Sequence, residues 1–320
     1  MHTQPVIAAV DGSEDSLRAL DWALDAARRR AAPLRVVHVR QYTPWAQPGV
    51  LAAGPPEPDD DPVLDEARTR LREPAAAQTV EYVTLRGAPA AVLPELGAEA
   101  DLLVLGSRGR GGFASLLLGS NGMAAARDAA CPVVVVPRPG RDRGTSHAVQ
   151  PAGDHGEPPA GLGSRVVVGV NVNNPDNPDD ATLAFAFTEA GLRGAPLQVI
   201  AAYRWPAQPL MAPGDFVPPV IDQDAVENET RTLAEGFLAP HRARHPDVRA
   251  DARALPGDAA GNLVTASGGA DLVVVGRHRR RLLAPARMMG SVTRAVLLHA
   301  VCPIAVVPPA PQGKSAPSEE

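Results

Sequence analysis

Residues 101–109 read DLLVLGSRG, and after nine further residues the chain reaches Gly119-Ser120 and an alanine-rich stretch ending at Ala130. The apolar run Leu102 to Leu105 has the composition of a buried strand, and the stretch after Gly119-Ser120 that of a helix. The segment between them is punctuated as Gly-x2-Gly-x9-Gly-Ser. Glycine permits backbone turns with φ > 0 and close approach of a ligand to main-chain N–H groups. A helix N-terminus adds unpaired N–H donors and partial positive charge, which suit phosphate. Strand, glycine loop and helix start together form a candidate phosphate cradle.

The same unit occurs twice. DLLVLGSRG from Asp101 matches DLVVVGRHR from Asp271, and ACPVVVVP from Ala130 matches VCPIAVVP from Val301. APLRVVHV from Ala32 matches APLQVIAA from Ala195, and PVIAAVDGS from Pro5 matches RVVVGVNVN from Arg165. A period this long exceeds any solenoid repeat, so each copy is expected to fold as a domain. The expected organisation is domain 1 over 1–138, a flexible linker over 139–164 rich in Gly, Pro, Asp and Arg, domain 2 over 165–308, and a disordered tail over 309–320.

Within the first copy, strands and helices alternate. Strands are expected over Val6 to Val10, Leu34 to Val39, Val80 to Leu85, Leu102 to Leu105 and Val133 to Val136. Helices are expected over Ser16 to Arg30, Val63 to Glu73, Ala88 to Ala98 and Ser120 to Ala130. In the first helix Leu17, Leu20, Ala23, Leu24 and Ala27 share one face, and either Ser13 or Asp15 caps it. Continuous valine-rich runs alternating with helices indicate an α/β fold with a parallel sheet covered on both faces.

Composition narrows the function. Net charge is −5, which argues against a general nucleic-acid binder. The single lysine is Lys314, so the folded part offers no P-loop lysine and no Schiff base. No apolar run approaches bilayer length, and the N-terminus has no basic leader region, so a cytoplasmic location is expected. Two cysteines, Cys131 and Cys302, are too few for a secreted disulfide framework and read as small buried residues at helix–strand junctions.

In an open parallel sheet, ligands bind beyond the carboxyl ends of the strands, where strand order switches. Asp11 after the first strand, His38-Val39 at the second, and the loop from Gly106 to Ser120 converge there. Asp11-Gly12-Ser13, His38-Val39 and the Gly-x2-Gly-x9-Gly-Ser loop, closed by CPVVVVP, resemble the universal stress protein family, over nearly the whole folded chain. The resemblance implies two Rossmann-like, adenine nucleotide alpha hydrolase-like domains in tandem, each with five strands, of the ATP-binding type in the first domain. It implies that Asp11, with Gly12 and Ser13, and Val39 meet ribose and adenine, that Leu105 and Gly106 edge the nucleotide, and that Gly109, Gly119 and Ser120 hold phosphates beside Arg108 and Asn121. Asp11 is also the candidate to hold Mg²⁺ on the phosphates. Pairing through the last strands, Val133 to Val136 with Ile304 to Val307, is implied as an intrachain pseudo-dimer, with homodimerisation and a protein partner left open. Asn121-Gly122 departs from the apolar residue common after Gly-Ser, and a looser helix start is expected there.

The second copy loses the pattern. Asn171-Val172-Asn173 replaces Asp-Gly-Ser, Ala201-Ala202 replaces His38-Val39, and Arg279 falls where the first copy has a glycine thought to need φ > 0. Nucleotide binding is expected in the first copy alone. Gly109-x-Gly111-x-x-Ala114 mimics a dinucleotide fingerprint, but it follows a late strand and has no acidic partner about 20 residues on. His38 reads as a satisfied sheet residue, Asp59-Asp60-Asp61 as a solvent-facing acidic loop, and Arg277 to Arg281 as a basic loop open to solvent, phosphate or nucleic acid. The function expected is a nucleotide-responsive stress regulator; a slow ATP hydrolase and an interaction module without nucleotide are the alternatives.

Overall fold

The computed structural model describes residues 4–41, 60–73, 75, 77–109, 118–138, 164–173, 180–205, 222–277 and 289–310. Arg110, Asp59, Arg279 and nearly all of the expected linker and tail lie outside the described residues, as does most of the loop from Tyr42 to Pro62. The first half runs β1 (Val6–Val10), α1 (Glu14–Arg29), β2 (Leu34–Arg40), α2 (Pro62–Leu71), β3 (Val80–Arg86), α3 (Pro89–Glu95), β4 (Leu102–Gly106), α4 (Ser120–Asp128) and β5 (Val133–Val136). The second half repeats it as β6 (Val166–Val170), α5 (Asp180–Arg193), β7 (Leu197–Tyr203), α6 (Gln223–Arg244), β8 (Ala250–Pro256), α7 (Ala259–Ser267), β9 (Leu272–Gly276), α8 (Ser291–His299) and β10 (Ile304–Val307).

All ten strands form one sheet in the order β3-β2-β1-β4-β5-β10-β9-β6-β7-β8. Every neighbouring pair is parallel except β5 with β10, which run antiparallel with Val135 opposite Ile304 and Val133 opposite Val306. The last strands therefore join the halves within one chain. Antiparallel pairing of two like units creates a pseudo-two-fold axis between β5 and β10. The outermost strands are β3 and β8. All four residues of β5 are buried, as its run of valines requires of a strand covered on both faces.

Two apolar layers flank the sheet. One packs α1, α2, α5 and α6 through Leu17, Leu20, Leu64, Leu183, Phe187 and Leu238. The other packs α3, α4, α7 and α8 through Leu93, Ala125, Leu263, Val296 and Leu297. Ser13 caps α1 by accepting from Ser16 N at 3.2 Å, which settles the choice between Ser13 and Asp15. Glu14 and Asp15 in the first turn and Arg28 and Arg29 in the last complement the helix dipole.

Charged side chains stitch the halves together beside the seam. Glu189 is fully buried and pairs with both Arg30 and Arg193, while Arg30 Nε also meets Asp101 at 3.0 Å. The Arg277 guanidinium donates to Ala126 O and Ala129 O at 3.4 and 2.9 Å, closing the carbonyl end of α4. Of the basic run, Arg277 is thus a helix cap rather than part of an open patch; residues 278–281 lie outside the described residues.

In the second half, the Phe187 ring stacks with the rings of His241 and His245, with centroids 5.5 and 5.6 Å away. His241 Nε2 sits 3.0 Å from Asp180 Oδ1 without hydrogen-bond alignment. Burial lowers the His241 pKa below 6.5, against the smaller opposing pull of Asp180. The unfolded chain then binds more protons at mildly acid pH, so stability should fall as pH drops through 6.5 toward the folded value. Replacing His241 by Phe, which keeps an aromatic face on Phe187, is expected to flatten that part of the melting-temperature profile. Equal slopes for the two proteins would show that folding leaves the titration of His241 unchanged.

Candidate functional site

Strand order reverses between β1 and β4, so the crevice expected to take a ligand opens beyond their carboxyl ends. Asp11 follows β1 directly. Its Oδ1 accepts from Ser13 N at 3.0 Å and from Ser13 Oγ at 2.6 Å. Gly12, in the middle of that short-range turn, is left-handed with φ +74°. Ser13 Oγ also donates to Arg108 O at 3.3 Å, tying the β1 turn to the loop after β4.

The three motif glycines do different things. A Cβ on Gly106 would lie 2.6 Å from the backbone of Asp15, so Gly106 lets the first turn of α1 press onto the end of β4. A Cβ on Gly109 would lie 2.4 Å from Asp11 Oδ2, so Gly109 makes room for that carboxylate. Among the described residues, a Cβ on Gly119 would meet only Ser107 O at 3.8 Å and Arg108 Cα at 4.0 Å, both ordinary van der Waals contacts. Of the three, none has φ in the left-handed range, which corrects the expectation that this loop needs glycine for φ > 0. The glycine requirement at 106 and 109 is one of close approach instead. Gly109, the first-copy counterpart of Arg279, is not left-handed, so no such strain is inherited by the second copy at that position.

Gly119 is the N-cap of α4, and no side chain caps that end. Its carbonyl accepts from Met123 N at 3.1 Å, and its own N–H donates to Ser107 O at 2.9 Å. The helix begins at Ser120 and includes Asn121 and Gly122, with Gly122 buried against Leu118 at 3.0 Å for an added Cβ. A larger residue at 122 would press on Leu118, so the glycine after Asn121 is explained by close packing. Val39 and Leu105 are both buried in the same apolar layer as Leu118, on the α3–α4 side of the sheet.

Sequence reasoning missed the anchor beneath this loop. The Asp15 carboxylate is 1% exposed and takes Ser107 Oγ at 3.1 Å, Arg138 Nε at 3.1 Å and the Arg18 guanidinium. Burial alone would raise its pKa, but bonds from Arg138, Ser107 and Arg18 hold it below the usual carboxylate value. An acidic residue in a first helical turn is ordinary, so only the fold could reveal Ser107 and Arg138 as partners. A second cluster overturns the reading of Asp61 as solvent-facing. Asp61 is buried, accepts from Thr84 Oγ1 at 2.8 Å, lies 2.8 Å from His38 Nδ1, and caps α2 through Val63 N and Leu64 N. His38 is therefore held as a sheet residue. Cys131 and Cys302 are buried and free, and burial pushes both thiols up to about 12. They are chemically quiet packing residues.

The second half keeps part of this geometry. Asn173 N donates to Asn171 Oδ1 at 3.2 Å, the same turn without a carboxylate. Val172 stands in place of Gly12 and is not left-handed. Gly290 caps α8, again without a side-chain cap. The segment between Arg277 and Met289 lies outside the described residues.

The universal stress protein family model matches residues 2–137 and again 164–308. This chain belongs to the universal stress protein family. Universal stress protein Rv2005c of Mycobacterium tuberculosis is 31% identical over 94% of this chain and 96% of its own length. A universal stress protein from Archaeoglobus fulgidus shares the fold across 96% of this chain and 99% of its own, with a TM-score of 0.59 at 17% identity. A universal stress protein solved in complex with cAMP is 33% identical over 42% of this chain and 97% of its own, with a TM-score of 0.31. In this member of the family, Gly106→Ala should lower the melting temperature clearly, whereas Gly119→Ala should fold as wild type. Asp15→Asn should cost about 1.5–3 kcal/mol at pH 7. That difference should shrink as pH falls through about 3.8, where the unfolded chain's carboxylate takes up a proton, toward the lower value of the folded state. A pH-independent difference would mean that the charge of Asp15 is not what holds the loop.

Proposed function

We propose that the first half binds an adenine nucleotide, ATP in the first instance, and that occupancy makes the protein a nucleotide-responsive stress regulator. The observation that carries this reading is the start of α4, which no side chain caps, placed with Asp11 at the strand-order switch. Main-chain N–H groups at Ser120 and Asn121 would take phosphate oxygens, with the Ser120 hydroxyl and Arg108 beside them. Bonds to charged oxygens contribute about 1.5–3 kcal/mol each, so a few give micromolar affinity. Val39 and Leu105 would line the base, and Asp11, set by Gly12 and Ser13, would face the ribose. Gly106 and Gly109 shape the walls.

Among the described residues, no group of three or more His, Cys, Asp or Glu could hold a metal ion. Magnesium would fit here as it does in many nucleotide sites, carried by phosphates and one carboxylate, Asp11. When bound it would neutralise phosphate charge. The second half, with Asn171 for the carboxylate and Val172 for the left-handed glycine, is proposed not to bind.

Titration calorimetry of the full chain with ATP should show one site per chain. Gly119→Val should weaken binding at least about tenfold while the nucleotide-free melting temperature stays near wild type, because among the described residues the nearest atoms to an added Cβ are Ser107 O at 3.8 Å and Arg108 Cα at 4.0 Å. Mass spectrometry of the small molecule released on denaturation should show an adenine nucleotide, and cAMP titrated in parallel should report the preference. Two equal sites, or wild-type affinity in Gly119→Val, would overturn the reading. Magnesium-dependent turnover abolished by Asp11→Asn would reassign the site to hydrolysis.

A further inference from the structure

Three charged groups meet beside the seam between α1 and α5, almost out of reach of water. Glu189 is fully buried, and the side chains of Arg30 and Arg193 are 8% and 7% exposed. The two arginines are repeat equivalents. Each stands two residues before the Ala-Pro pair that leads into the next strand, Ala32-Pro33 and Ala195-Pro196. Each sends NH1 to the carbonyl four residues back, Ala26 O and Glu189 O, both at 3.4 Å. They therefore face each other across the pseudo-two-fold axis that the β5–β10 pairing creates.

The residues that supply those two carbonyls are also equivalents, and there the repeat breaks its symmetry. The second half has glutamate; the first has alanine. One carboxylate serves both arginines: Oε1 takes Arg30 and Oε2 takes Arg193. Ala26 is buried and lines a cavity with Trp22, Asp25 and Arg193, so space exists beside it. The Arg193 guanidinium lies 5.4 Å from the Trp22 ring centroid, on the first half's side of the axis.

We infer that Glu189 keys the interface between the halves: the paired face of the first half, carrying Arg30 and Ala26, fits a partner face that brings a glutamate at the position equivalent to Ala26, as the second half does. A second copy of the first half lacks that group. It would bring two guanidiniums together with no buried carboxylate between them, each left with only the half-exposed Asp101 of its own half at 3.0 Å, and like charges brought together out of water with so little compensation are strongly destabilising. The preferred partner of the first half is therefore its own second half, by charge as well as by tether.

Pseudo-symmetry supplies the test, because the glutamate should work from either side of the axis. Thermal melts of the full chain compare wild type, Glu189→Ala and the double variant Ala26→Glu/Glu189→Ala. Glu189→Ala should lower the melting temperature by about 5–10 °C. Moving the glutamate to position 26 should recover at least half of that loss. Ala26→Gln/Glu189→Ala, which fills similar volume without the charge, should recover less. The inference is overturned if Glu189→Ala melts within a degree or two of wild type, or if the double variant melts no higher than Glu189→Ala. Should Glu189→Ala fail to fold, the pair Glu189→Gln and Ala26→Glu/Glu189→Gln carries the same comparison with the same criterion. The nucleotide reading does not enter any of these outcomes.

Discussion

A strand of four valines, bonded on both sides, is the constraint from which the rest of this molecule follows. β5 takes β4 as a parallel neighbour and β10 as an antiparallel one. Because β10 belongs to the other half, the edge that an isolated five-stranded unit would leave open is filled from within the chain. The antiparallel step imposes local two-fold geometry. That geometry brings α1 against α5, aligns Arg30 with Arg193, and delivers Arg277 to the last carbonyls of α4. These contacts are consequences of one ladder and could not form if the halves were joined in another way.

The same sheet divides labour between its two halves. In the first, α1 is drawn tightly onto β4 by Gly106 and fixed by Asp15, Ser107 and Arg138, so the walls of the proposed crevice are set by the protein's own contacts. Preorganisation of this kind lowers the ordering cost of binding. In the second, the polar turn at Asn171 survives but its charge and its glycine do not. The second half contributes instead through Glu189 and Arg277, which are structural gifts to the first.

The fold was legible in the sequence because its signals are local. Valine-rich runs of strand length marked the strands, the repeated Cys-Pro junctions marked the register of the two copies, and Ser13 stood where a cap belongs. The glycine loop was found, but the reason for its glycines was not. Close approach depends on what lies opposite in space, and nothing in residues 106–109 announces Asp15 or Asp11 as the neighbour. Asp61 was misread for the same reason: one acid in a run of three looks solvated until β2 and β3 bring His38 and Thr84 to it. Glu189 carried no local signal either, since an acid within a helix is ordinary until a pseudo-dyad places two arginines around it.

The outermost strands hold a last consequence. Two separate five-stranded sheets would expose four open margins able to recruit foreign strands, and fusion leaves two, β3 and β8. Both carry ionic residues, Glu81 and Arg86 on one and Asp251 and Arg253 on the other, and Pro256 withholds an amide where β8 ends. Tandem duplication thus gives this chain a built-in safeguard against fibrous polymerisation.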